Sequence, residues 1–162
     1  MSVKRRLNLT KRAIAPAVES TPKTCQSRSS TRLIRLVDSS GSEIWIPDRI
    51  GHGYSPVEVL GFNELHTTYA EHHRLQVFHL KGCKCVYPGC DRVGVYLIRA
   101  VSRNGDSHVD LYDKDFNMMS IDHIVPKSMG GRGNIGNLQP MCQEHNEFKR
   151  SRSMEDVLNG VE

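Results

Sequence analysis

The chain has 162 residues, 38% of them hydrophobic and only 6% aromatic, with a formal net charge of +4. That length allows one domain with extensions, and the small supply of bulky apolar side chains points to a thin core that needs a metal or an oligomer partner. No run is apolar enough to span a membrane, no secretory core follows Met1, and no phosphate loop or dinucleotide fingerprint occurs, so neither a membrane protein nor a nucleotide-binding fold is indicated.

Charge is unevenly spread. Residues 1–32 carry eight Lys/Arg against the single acid Glu19, a local charge of +7 that leaves the rest of the chain at −3. This segment is rich in Ser and Thr and lacks a sustained hydrophobic period, so it reads as a flexible, disordered basic tail suited to a polyanion. Leu33–Val37 and Glu43–Ile46 flank Asp38-Ser39-Ser40-Gly41 and predict a hairpin, with Trp45 expected in the core. Ser55-Pro56-Val57-Glu58 has a capping-box pattern with proline at the first helical position, which predicts a short helix. A second helix is expected from Asn63 to about Leu80, stopped by Gly82. His66, His72, His73 and His79 fall there and are read as solvated or half-buried.

Val93–Val101 is strand-like, Arg103-Asn104-Gly105-Asp106 supplies a hairpin turn, and Val109–Tyr112 returns. Asp113–Asn117 makes a further turn before a strand begins at Met118. The division that results is a tail (1–32), a hairpin and helical extension (33–80) supplying specificity or a homodimer contact, and a chemical domain (81–162).

Five cysteines make an odd count, and four lie at or beside metal-ligand spacings, which fits a reducing cytoplasm better than a disulfide framework. Cys85 and Cys90 form a Cys-x4-Cys knuckle; Cys142 and His145 form Cys-x2-His. Two paired half-sites complete a tetrahedron, as in a closed structural zinc site. Cys83 is an alternative to Cys85 at this stage, and Cys25 in the tail is assigned no role.

Between the half-sites runs Ser120-Ile121-Asp122-His123-Ile124-Val125-Pro126-Lys127, then Gly130-Gly131, Asn137-Leu138-Gln139 and Cys142-x-x-His145-Asn146-x-x-Lys149. An acid beside a histidine, followed by a glycine-rich loop and an amide-bearing segment, suits cation binding and water activation against a phosphodiester. From about Cys85 to Arg152 the chain resembles the HNH endonuclease family. That resemblance implies an α+β fold: a small ββα-metal core, here clasped by structural zinc, cleaving DNA with a divalent cation and leaving 5′-phosphate and 3′-hydroxyl ends.

The chemistry of each residue can be argued beside it. His123 is the better general base because imidazole titrates near working pH. Asp122 offers the hard oxygen that Mg2+ or Mn2+ prefers, and Asn146 adds a neutral amide oxygen. The resemblance assigns Asn137 to fixing the loop and orienting His123. Lys127, Lys149, Arg150 and Arg152 are candidate phosphate contacts. Many relatives place histidine at the last cation-ligand position after a Cys-x-x-Cys half-site; here His145-Asn146 leaves two assignments, of which zinc for His145 and the catalytic cation for Asn146 is preferred. A phage or mobile-element enzyme, acting in the host cytoplasm, fits the size and the basic arm. The competing expectations are a zinc-stabilised nucleic-acid-binding module without cleavage and a structure-specific junction resolvase.

Overall fold

The computed structural model describes residues 31–61 and 72–160. The tail up to residue 30, with Cys25, and the first half of the helix expected from Asn63, with His66, lie outside the described residues.

Strands β1 (Leu33–Val37) and β2 (Glu43–Pro47) pair antiparallel, with Arg35 opposite Trp45. The turn between them is held by the Asp38 carboxylate, which accepts from the Ser40 and Ser42 amides at 2.9 and 2.8 Å. A bond from the Ser40 hydroxyl, and after it those amide bonds, hold the Asp38 pKa below its ordinary value. Trp45 was expected in the core but is 58% exposed. Strand alternation gives the reason: Ile44 and Ile46 take the inward face of β2, so the residue between them must point out.

The segment expected to open a helix is instead strand β3 (Ser55–Leu60). Val57, Val59 and Leu60 suit a half-buried pleat, and pairing with β4 satisfies the backbone along the segment. Pro56 pairs with Ala100 on an edge strand, next to the register shift, which is a position where proline is tolerated. Glu58 pairs across the ladder with Arg99 at 3.3 Å. The local capping pattern lost to this long-range partner.

Helix α1 (His73–Lys81) ends at Gly82, whose φ of +88° and N–H bond to Phe78 O at 2.9 Å close the helix. His72, His73 and His79 are exposed. β4 (Tyr96–Val101) and β5 (Ser107–Tyr112) complete an antiparallel sheet in the order β3-β4-β5. The strand expected from Val93 begins at Tyr96, because Val93 bridges to Lys84 and Gly94 N–H bonds to Cys83 O.

This sheet is buried on both faces. Leu97 and Leu111 join Leu60, Leu75, Phe78, Met119 and Met141 in one core. Ile98, Ala100 and Tyr112 join Ile46, Ile50 and Val59 in the other. Residues on either side of position 80 therefore share both cores, and β3 pairs with β4.

β6 (Met119–His123) and β7 (Leu138–Cys142) form a separate antiparallel pair, with Asp122 opposite Gln139 and His123 opposite Leu138. Helix α2 (Gln143–Lys149) leaves β7 directly and packs on both strands. A short helix α3 (Met154–Leu158) follows, opened by a capping box in which Ser153 and Asp156 bond reciprocally.

Candidate active site and metal centre

Four side chains converge where β7 becomes α2. Cys142 is the N-cap residue of α2 and His145 lies in its first turn. The knuckle carrying Cys85 and Cys90 is tied to β7 by the Val86 amide donating to Pro140 O at 3.1 Å. The ligand atoms of Cys85, Cys90, Cys142 and His145 all lie within 4.8 Å of one another. His145 Nδ1 is 3.1 Å from Cys142 Sγ and 3.6 Å from Cys85 Sγ. Tetrahedral zinc with its usual bond lengths sets ligand atoms about 3.5–3.8 Å apart, so this donor set fits the ion in both chemistry and spacing. Burial, and next to it the charges of Cys85 and Cys90, push the Cys142 thiol up to about 12. A bound cation would offset the charge that deprotonated sulfurs at this spacing would carry. Cys83 is outside this group; its sulfur sits 3.9 Å from Phe78 O, and burial raises its pKa.

Two neighbours that sequence reasoning missed brace the site. Tyr87 stacks on the His145 ring at 4.0 Å between centroids and 9° between planes. Arg92 bonds Glu144 on α2 at 2.7 Å, pinning the knuckle to the helix.

The acid–histidine pair ends β6. Ser120 and Asp122 face α2, and Asn146 Nδ2 donates to Ser120 Oγ at 2.9 Å and Ile121 O at 3.2 Å. Asp122 is only 3% exposed, and both its oxygens accept: Oδ1 from Lys149 Nζ at 2.9 Å and Oδ2 from Gln139 Nε2 at 2.8 Å. Lys149 also donates to His123 O at 3.0 Å. Lys149 was expected to touch phosphate, but it is wholly buried. It lies one helical turn from Asn146 on the same face of α2, which turns it onto the strand rather than to solvent.

His123 points the other way, as alternation along β6 requires. Its Nε2 is buried, without a hydrogen-bond partner among the described residues, and lies 4.0 Å from where a side-chain carbon on Gly133 would stand. The loop above it is held by Asn137. That amide accepts from Val125 N at 2.8 Å and donates to Val125 O at 3.0 Å and Arg132 O at 2.8 Å. Gly131 packs so closely that a Cβ there would sit 1.7 Å from Val125 O. The glycine is required by this packing. The structure thus brings Asp122 and Asn146 to the β6–α2 contact and sets His123 on the opposite face, beneath the loop.

Residues 111–159 match the HNH endonuclease family. The HNH match runs from the end of β5 through β6, the Asn137-pinned loop, β7 and α2 to the end of α3, so it contains the acid–histidine pair, Cys142 and His145 but leaves Cys85 and Cys90 outside. No curated protein and no solved structure matches the chain. Among the described residues no helix is long and apolar enough to cross a membrane.

Of the other residues expected at phosphate, Lys127 and Arg150 are exposed. Arg152 folds back on the end of α2, its Nη2 2.5 Å from Phe148 O and its Nε 3.3 Å from Lys149 O.

Proposed function

We propose that this protein is a metal-dependent DNA endonuclease of the ββα-metal type, with zinc at Cys85, Cys90, Cys142 and His145 holding the site together. The observation that carries the reading is the His123 Nε2, buried and without a partner among the described residues, at the end of a strand whose preceding residue is a buried carboxylate. A buried polar atom is costly to leave unpaired, and a catalytic role is one reason for which such an atom is kept.

The residues fit a hard cation. Each carboxylate oxygen of Asp122 keeps lone-pair capacity beyond the bond it already accepts. Asn146 spends its Nδ2 on Ser120 and Ile121, which aims the opposite end of the amide away from those acceptors. Asp122 and Asn146 would hold Mg2+ or Mn2+, and the bound ion would supply charge neutralisation at the scissile phosphate and at the leaving 3′ oxygen. His123 would act as general base on the attacking water, and because it faces away from Asp122 and Asn146 the scissile phosphate would lie across the end of β6, between the two faces. Asn137 keeps residues 124–132 folded over the ring and thereby fixes the imidazole's surroundings. Lys149 and Gln139 orient the Asp122 carboxylate from either side. Exposed Lys127 and Arg150 contact phosphate.

A second reading, a zinc-stabilised DNA-binding module without cleavage, is favoured by one observation: Asp122 is already engaged through both oxygens. Supercoiled plasmid separates the two. The endonuclease reading expects nicking with Mg2+ or Mn2+ by the wild type and at least a hundredfold slower nicking by His123→Ala, in line with the contribution of a general base. Intact plasmid with every divalent cation tried, alongside retained DNA binding, supports the binding module.

A further inference from the structure

The helix that carries Asn146 also exposes an aromatic ring. Phe148 is 53% exposed, two residues beyond Asn146 and adjacent to buried Lys149. The Arg152 guanidinium lies over its ring, 5.0 Å from the centroid, and Tyr87 meets it edge-on at 6.3 Å. The two backbone bonds that fix Arg152 leave it little freedom to wander from the ring. Beside this stack is a groove of about 400 Å3 lined by Glu147, Phe148, Arg150, Ser151 and Arg152. Among the described lining residues Glu147 is the only acid, and that carboxylate accepts from Gln143 at 2.7 Å.

Backbone strain marks the same place. Arg150 closes α2 with φ +54° and ψ −124°, a conformation that glycine adopts cheaply and a side-chain-bearing residue does not. Retaining arginine there keeps a cation at the lip of the groove against the local backbone preference, and strain of this kind concentrates where a side chain has work to do.

We propose that Phe148, backed by Arg152, is a stacking platform for a nucleobase that has left the duplex stack next to the cleaved phosphodiester, with Arg150 contacting the adjoining phosphate. The proposal rests on the endonuclease reading and adds a substrate class: single-stranded or locally unstacked DNA is preferred over regular duplex. An exposed ring with a guanidinium on one face is the surface on which unpaired bases are held irrespective of sequence, and arginine adds phosphate attraction. In a regular duplex no base face is open to such a ring.

The test uses the full-length, zinc-loaded protein and DNA oligonucleotides carrying 2-aminopurine, single-stranded and in duplex. Wild type binds the single strand more tightly and quenches the probe. Phe148→Ala weakens single-strand binding about 5- to 150-fold, the range of one lost base stack, and abolishes quenching. Phe148→Tyr restores both. Arg150→Gly weakens binding to both forms and leaves quenching at saturation unchanged. Circular dichroism and zinc content verify that each variant is folded. Phe148→Ala binding within twofold of wild type, with the quench retained, overturns the platform even if plasmid nicking is robust. A wild type that neither binds nor nicks DNA overturns the endonuclease reading and the platform with it.

Discussion

Replacing Lys149 by methionine tests the arrangement beneath the candidate site. Methionine keeps the length of the side chain and removes its charge. In the wild type the ammonium is wholly buried, bonded to a carboxylate that is 3% exposed and to the His123 carbonyl. The variant leaves Asp122 with Gln139 as its one remaining donor. Breaking a buried ion pair by removing one partner costs about 3–5 kcal/mol, because the other charge remains without compensation. The total stability of an ordinary domain is about 5–15 kcal/mol, so the loss is a large fraction of it. Urea unfolding of the zinc-loaded protein, followed by circular dichroism, measures the change. Asp122→Asn strands the lysine instead and is expected to cost a similar amount. The double variant Asp122→Leu with Lys149→Met removes both charges and returns most of the loss, since an apolar pair of similar volume is often as stable as a buried ion pair. A loss below about 1 kcal/mol for Lys149→Met, the range of exposed pairs, would refute a buried pair at this position.

Two further outcomes can be checked on the same protein. Mass spectrometry under native conditions should find one zinc per chain, lost on Cys85→Ser and kept on Cys83→Ser, with chelation lowering the thermal midpoint of wild type and of Cys83→Ser; zinc retained by Cys85→Ser would remove that thiol from the ligand set. Tyr112 has a buried hydroxyl with no hydrogen-bond partner among the described residues, and burial followed by the nearby Asp110 charge raises its pKa above the ordinary tyrosine value. Because the folded pKa is the higher one, this contribution to stability is complete below about pH 10, the unfolded value, and is lost as pH rises above it. Tyr112→Phe should therefore match or exceed wild-type stability at pH 7, by up to about 1 kcal/mol, and unfold less readily in alkali; an unchanged alkaline unfolding profile would show that another group governs it.

Much of the chemical site could be read from spacing. Cys85, Cys90, Cys142 and His145 sit in two short half-sites, and short spacings bring ligands together whatever the rest of the chain does. The Asp38-Ser39-Ser40-Gly41 turn and the turn at residues 103–106 were legible for the same reason. What failed were inferences in which a local pattern competed with a distant partner. The capping-box letters at Ser55 were overruled by pairing with β4, and Trp45 was displaced outward by Ile44 and Ile46. Lys149 looked like a surface cation in sequence; only packing α2 on β6 shows that it closes over Asp122.

Residue types and their local order alone determined the donors available: three thiols and an imidazole that could hold a metal ion, and a carboxylate, an amide and an imidazole close together along the chain. Only the tertiary structure decided which side of β6 each of them faces, that Lys149 and Gln139 share the Asp122 carboxylate, and that Phe148 stands open beside a strained arginine. The physical reason is that donor chemistry belongs to single residues. Exposure and pairing depend on which distant segment packs against them.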